Sequence, residues 1–322
     1  LDRVDLVATF RQRVSTYKFV PVEYRGPLRS VLQWALEAVV QSRAAGPQAE
    51  LQAWLLWSLL PRMLLRHHRN GAESRPQRQC LDERFRQFWT GAWEALLQEG
   101  GASWTVAPLP SASPARPTPA SPSGHATLGG ALQQPRRATP APAAPSTLAA
   151  ASAHSADDTL GARVEQEIRE GSVSRGAQLL VSPGLAPRSY ETLAELRDPV
   201  RRPPELLSPL PAVTPTPRVS LPRPLFLQNL RSIPLASAPG CSGLRGSHLR
   251  VLLDDTSEVG LGLLLTVAER VANAEVPEPI RAATALGALT ALNKRNARQE
   301  VAGVRGIVAG DIFWRLIARS LA

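Results

Sequence analysis

The chain has 322 residues, 30 of them proline, and a formal net charge of +10. This length allows one large domain or two ordinary ones. Cys80 and Cys241 are too few and too far apart for a disulfide framework or a zinc site. The longest apolar runs are far shorter than the roughly 20 residues that a membrane span needs. We therefore expect an intracellular protein, nuclear or cytoplasmic, with no membrane partner.

The positive charge comes almost entirely from arginine, because Lys18 and Lys294 are the only lysines among the 37 basic residues. A basic surface attracts polyanions whatever the origin of its charges. An arginine-, alanine- and proline-rich composition is also typical of GC-rich coding sequence. The abundance of arginine therefore does not by itself indicate a binding site.

Proline divides the chain into four predicted segments. Residues 1–104 form a helical N-terminal region, and 105–158 form a disordered linker rich in proline, alanine and serine. Such a linker buries too little apolar surface to offset the entropy lost on ordering. Residues 159–224 combine short helices with a proline-rich extended segment, and 225–322 are densely patterned.

Three apolar stretches in the N-terminal region have helical spacing. The first begins near Pro27, the second runs over residues 51–59 and is interrupted at Pro61, and the third runs over 85–97 and ends at Gly100. These stretches predict a small helical bundle.

Five of the seven tryptophans fall in these helices: Trp34, Trp54, Trp57, Trp89 and Trp93. We interpret them as core residues. The alternative is that their rings stack on single-stranded bases while nearby basic residues contact phosphate. Such a basic run is more often a solvated face, and here it consists of Arg62, Arg66, His67, His68 and Arg69.

The C-terminal hundred residues predict a fixed order of elements. These are a helical turn at 226–230, a glycine-containing loop at 237–243, a helix at 244–253, a helix from about 257 to Pro277, a β-hairpin at 288–308 with a long tip, and a helix opened by Gly310 and Asp311. The fold class that we predict is mainly α with a small β-hairpin.

This order resembles the amino-terminal, fingers half of reverse transcriptases from non-LTR (LINE-like) retroelements of the type found in microbial eukaryotes. The resemblance implies a partial α+β polymerase fingers region at 225–322. Its motifs are Ala238-Pro-Gly-Cys-Ser-Gly243 with His248-Leu249, Val276-Pro277, Leu292-Asn-Lys294, Arg305-Gly-Ile307 and Phe313-Trp-Arg-Leu-Ile317. Three upstream stretches are also similar to such proteins: 57–65, 170–175 and 196–204.

The resemblance gives Lys294 and Arg305 the role of clamping the triphosphate of an incoming deoxynucleoside triphosphate. Phosphoryl transfer spreads negative charge over oxygens that positive groups must meet. Lysine supplies a compact charge, and arginine supplies a fork that fits two oxygens. The resemblance also implies that Arg295, Arg298 and Arg315 contact an RNA or DNA template-primer.

The sequence departs from the family in three respects. Ser242 stands where an aspartate is usual, and the hairpin tip at 295–302 is long. The chain also stops at Ala322 before any palm aspartates, so we expect a fragment that binds no metal and does not polymerise alone. Magnesium is expected only for the full-length enzyme. Asp254-Asp255 mimics the catalytic pair but is predicted to be the end of a helix.

Two further hypotheses remain open. The chain is a non-enzymatic basic nucleic-acid-binding or scaffold protein, or it is a decayed retroelement copy without function. Decay predicts aggregation, because without a palm the apolar face formed by Ile312, Leu316 and Ile317 is exposed.

Overall fold

A computed structural model describes most of the chain outside its proline-rich parts. The described residues are 1, 3–67, 77–99, 103–104, 160–162, 164–165, 167–169, 173–182, 184–198, 217–234, 237–296, 298 and 300–322. The whole of the predicted linker, 105–158, lies outside them. The proline-rich stretch 199–216, His68 and Arg69 also lie outside the described residues.

The described chain is mainly helical, with two small two-stranded sheets. The elements in chain order are β1 (Val4–Asp5), α1 (Leu6–Arg11), α2 (Val22–Ala45), α3 (Pro47–Leu64), α4 (Gln77–Trp89), α5 (Trp93–Glu99), β2 (Ser103–Trp104), α6 (Val173–Val181), α7 (Tyr190–Leu196), α8 (Arg223–Ser232), α9 (Gly246–Arg250), a 3₁₀ turn (Val251–Asp254), α10 (Val259–Ala272), α11 (Glu278–Thr284), β3 (Ala288–Arg295), β4 (Val301–Ala309) and α12 (Ile312–Leu321). None of the helices described here is long and apolar enough to cross a bilayer.

The described residues belong to two compact units. The first takes its residues from Leu1–Ala107, Leu185–Leu292 and Gly303–Ala322, and the second takes its residues from Pro108–Gly184 and Asn293–Ala302. Each unit is therefore made of segments that are distant in sequence.

The helices of the N-terminal region are longer than the apolar spacing predicts. Pro27 lies inside α2, which begins at Val22. The predicted interruption at Pro61 is wrong, because α3 continues to Leu64. A proline in the last turn removes only one hydrogen bond of the helix, and the buried contacts of Leu59 and Leu60 hold the turn in place.

The third predicted stretch is two helices rather than one. It divides between Trp89 and Trp93, where Gly91 has a φ of +78°. Glycine adopts this left-handed conformation without the steric cost that other residues meet. The apolar spacing of 85–97 runs across the break, so periodicity alone did not reveal it.

The C-terminal elements follow the predicted order with one addition, α11, which lies between α10 and β3 and was not predicted. The last helix differs from the prediction in its surroundings. The expected exposure of the apolar face of α12 is wrong, since Ile312, Leu316 and Ile317 are buried. They pack against α8 and α10. The aggregation expected from decay thus loses its structural basis.

One hydrophobic core in the first unit joins the beginning and the end of the chain. Helix α2 packs on α3 and on α10, and α3 packs on α11. The rings of Trp57 and Phe313 meet edge to face with centroids 5.6 Å apart. The helical N-terminal region and the C-terminal segment therefore bury each other's apolar surface.

We expect Leu316→Ala to lower the free energy of unfolding by about 2–5 kcal/mol, because it removes a fully buried side chain and leaves a cavity. The matched control is Leu321→Ala in the same helix, where the side chain is about half exposed, and we expect a change within about 0.5 kcal/mol. Urea unfolding of both variants measures the difference. Equal effects would show that α12 is not packed as described.

Candidate functional site

The glycine loop at 238–243 is an irregular segment held by contacts from several elements. Gly243 has a φ of +84°. A Cβ at Gly240 would lie 2.5 Å from the Asp311 Cα, which is closer than atoms of side chain and backbone approach. Both glycines are thus required by geometry, one for its backbone angle and one for the close approach of the chain.

Asp311 fastens this loop to the start of α12. Its carboxylate accepts a hydrogen bond from the Phe313 backbone N–H at 2.9 Å and another from the Ser242 hydroxyl. Burial raises the pKa of this fully enclosed carboxyl, and both hydrogen bonds oppose that rise. A second carboxylate at position 242 would face Asp311, and two buried like charges repel. A serine at position 242 is therefore matched to its surroundings.

Arg62 holds the same loop from the opposite direction. Its guanidinium donates to the backbone carbonyls of Gln12 (2.5 Å) and Cys241 (2.8 Å) and lies over the Phe10 ring. Burial lowers its pKa to about 10, so it stays charged at neutral pH. The interpretation of Arg62 as solvated, or as a phosphate contact, is wrong, because only 1% of the residue is exposed.

Arg66 is also structural rather than solvated. It is buried and forms an ion pair with Glu99, and its backbone carbonyl accepts a hydrogen bond from Arg84 at 2.6 Å. The adjacent His67 packs its ring edge-on against Tyr17. Arg62 and Arg66 consequently supply internal contacts, whereas His67 is exposed.

His248 joins the helix after the loop to the N-terminal region. Its Nε2 lies 2.8 Å from the carbonyl of Tyr17, and its Nδ1 accepts from the Arg245 backbone N–H at 3.2 Å. These partners require a neutral ring with the proton on Nε2. Burial lowers the pKa of His248 to about 4.

The base of the β3–β4 hairpin is anchored along both strands. The Ala186 N–H donates to the carbonyl of Ala291 at 3.0 Å. The Val304 N–H donates to the Glu195 carboxylate, which projects from α7, at 2.9 Å. A hairpin anchored in this way presents its outward side chains from a fixed base.

Lys294 and Arg305 are exposed on β3 and β4, respectively. Lys294 belongs to the second unit and Arg305 to the first. That both side chains bind the same triphosphate stays a prediction.

The hairpin tip is organised by Asn296. Its side-chain oxygen accepts from the backbone N–H groups of Arg298 (2.9 Å) and Glu300 (3.0 Å), and its amide donates to the Glu300 carboxylate at 3.0 Å. This side-chain cap is what makes a long tip compatible with a defined turn. Arg295 and Arg298 are both exposed there.

Arg315 has a partner in the glycine loop. Its guanidinium donates to the carbonyl of Ala238 at 2.6 Å, and burial lowers its pKa while Asp311 nearby opposes that effect. The predicted contact of Arg315 with nucleic acid stays a prediction.

The tryptophans divide between core and surface. Trp54 and Trp57 are buried, as the core interpretation predicts. Trp34 and Trp89 are 37% and 53% exposed, and their ring centroids lie 6.1 Å apart in a cluster completed by Trp93. The base-stacking alternative therefore has accessible rings only in this cluster.

The acidic pair behaves as predicted, with Asp254 ending a 3₁₀ turn. Asp255 accepts hydrogen bonds from Gln33 and Ser257. Within the described residues, no group of three or more histidine, cysteine, aspartate or glutamate side chains is placed to hold a metal ion. No family model matches the chain, and no curated protein or solved structure matches it.

We expect Gly240→Ala to destabilise the protein by about 1–3 kcal/mol, because the new Cβ meets rigid backbone at Asp311. Gly262→Ala is the matched control. Its Cβ would meet nothing within 4 Å on the exposed side of α10, so a gain of about 0.5–1 kcal/mol is expected there. Denaturant titrations compare the two, and a neutral Gly240→Ala would contradict the loop packing.

We expect the protein to lose stability as the pH falls from 6.5 towards 4. In this range His248 binds a proton in the unfolded chain but stays neutral in the folded protein, because its pKa is about 4 when folded and 6.5 when unfolded. The loss is on the order of 3 kcal/mol by the lower end of this window. Titration of the His248 ring protons by NMR isolates this group from the carboxylates. An apparent pKa near 6.5 would show that the ring is not enclosed.

Proposed function

We propose that this chain forms the helical N-terminal and fingers part of a non-LTR retroelement reverse transcriptase. In this role it binds template and the incoming nucleotide and supplies no catalytic carboxylate. The observation that carries the proposal is the ordered set of elements from the glycine loop at 238–243 to α12, with an anchored hairpin between them that exposes Lys294 and Arg305.

The glycine loop supports this proposal through its contacts. The loop precedes the hairpin in the sequence, and in the structure it touches Asp311, directly after the hairpin. The loop and α12 thus form a frame at the base of β4. A nucleotide-binding hairpin needs such a frame, because misplacing a cation by 1 Å weakens its electrostatic contact.

The distribution of charge at the hairpin also supports the proposal. Lys294, Arg295, Arg298 and Arg305 are exposed, whereas the arginines of the N-terminal region that we followed, Arg62 and Arg66, are buried. The hairpin therefore presents four exposed basic groups to a polyanion, on β3, β4 and the tip. A triphosphate or a nucleic acid backbone is the ligand that such a set of charges attracts.

The second candidate is a non-enzymatic nucleic-acid-binding protein that uses the exposed rings of Trp34 and Trp89. Stacking of bases on aromatic rings contributes about 1–3 kcal/mol per base. Glu37 lies one turn from Trp34 on α2 and is exposed, which opposes phosphate binding near this cluster. The hairpin is therefore the stronger candidate.

We expect Lys294→Ala and Arg305→Ala each to weaken binding of a deoxynucleoside triphosphate by about tenfold or more, since each removes a charge-assisted contact. Equilibrium dialysis of labelled nucleotide with magnesium measures the affinity. Arg188→Ala, another exposed arginine, is the control and should bind normally.

The same variants separate the two candidates when RNA binding is measured beside nucleotide binding. The polymerase proposal expects RNA binding to persist in Lys294→Ala. The second candidate expects RNA binding to fall in Trp34→Ala and Trp89→Ala while the hairpin variants bind normally. Normal nucleotide binding in both hairpin variants would overturn the first proposal.

A further inference from the structure

A cleft of about 420 Å³ lies in the first unit between the end of α1, the glycine loop and the start of β3. Its volume is within the range of small-molecule sites. None of the roles proposed for Lys294 and Arg305 involves it. The cleft therefore needs its own explanation.

The charged groups of this cleft favour an anion. Arg11 and Arg13 line it, and both are exposed to solvent. The Arg13 guanidinium donates to the carbonyl of Leu289 at 2.6 Å, which fixes its direction and leaves other N–H groups for a ligand. No aspartate or glutamate is present among the described residues that line the cleft. The nearby Asp311 carboxylate accepts from Ser242 and Phe313.

Much of the remaining lining of the cleft is apolar. Val14, Pro239, Leu286 and Leu289 contribute to its wall. Gln12 and Thr290 add groups that donate and accept hydrogen bonds. A ligand that fits this lining carries an anionic group together with a mainly apolar body that has polar edges.

We propose that this cleft binds one nucleotide unit, with its phosphate at Arg11 and Arg13 and its base against the wall formed by Pro239 and Leu286. The ligand is either a free nucleoside monophosphate or a single unit of an RNA strand, since both present the same groups. The site is separate from the hairpin cations, so it does not depend on the function proposed above.

Cys241 provides a direct reporter of occupancy. This residue lines the cleft and is partly exposed. Burial raises its pKa, and Arg13 is among the neighbours that oppose this rise. The other cysteine, Cys80, is buried. Alkylation of the chain by a maleimide therefore reads Cys241, and a ligand in the cleft slows it.

The experiment uses the full chain with Cys80→Ser and measures the rate of maleimide labelling at Cys241. We expect saturable protection by adenosine monophosphate, and at least tenfold weaker protection by adenosine or by inorganic phosphate alone. Arg11→Ala and Arg13→Ala should each raise the protecting concentration about tenfold or more. Arg188→Ala, also exposed, should leave it unchanged.

A short single-stranded RNA distinguishes the two sources of the ligand. If RNA protects Cys241 at concentrations where the monophosphate does not, the ligand is a unit of an RNA strand. If both protect equally per nucleotide, the ligand is a free nucleotide. Either result supports the site. Labelling that neither ligand slows, or protection that survives both arginine substitutions, would overturn it. Lys294→Ala should leave protection intact, so failure of this site is distinguishable from failure of the hairpin role.

Discussion

The glycine loop at 238–243 is held by two buried charged groups, and the arrangement of the first unit depends on this constraint. A buried charge is costly unless hydrogen bonds or an opposite charge compensate it. The Arg62 guanidinium obtains its compensation from the carbonyls of Gln12 and Cys241, and the Asp311 carboxylate obtains it from Ser242 and Phe313. If the loop moves away, the Arg62 guanidinium loses the carbonyl of Cys241 and the Asp311 carboxylate loses the hydroxyl of Ser242. The loop is therefore the point where α3, the segment after α1 and α12 meet.

The arginines of the chain fall into two groups with different roles. Arg62, Arg66 and Arg270 are buried and bind backbone carbonyls or glutamates, so they stabilise the fold. The arginines of the hairpin and of the cleft beside the loop are exposed. The total charge of +10 therefore overstates the charge that is available to a partner. The positive charge that a polyanion can contact depends on where the arginines lie in the fold rather than on how many there are.

Periodicity was sufficient to predict most helices and the hairpin, because apolar spacing reports which face of an element is buried. Periodicity failed where the backbone conformation of a single residue ends a helix, as at Gly91, whose left-handed φ interrupts an otherwise continuous apolar pattern. It also failed for Arg62. That residue lies among the apolar residues of α3, and its position within that buried run was the available signal that it is enclosed. The cleft beside Arg13 was not predictable, since its walls come from three parts of the chain that only the fold brings together.

The most direct test of the loop as the joint between the two ends of the chain is native-state hydrogen exchange. The amides of α3 and α12 should share one opening free energy, because Arg62 in α3 and Asp311 at the start of α12 each lose a hydrogen-bond partner when the loop is released. In Arg62→Met, that free energy should fall by the same amount in both helices. Exchange of α12 that is unaffected by Arg62→Met, or that proceeds through a separate and lower opening free energy, would contradict the role assigned to the loop.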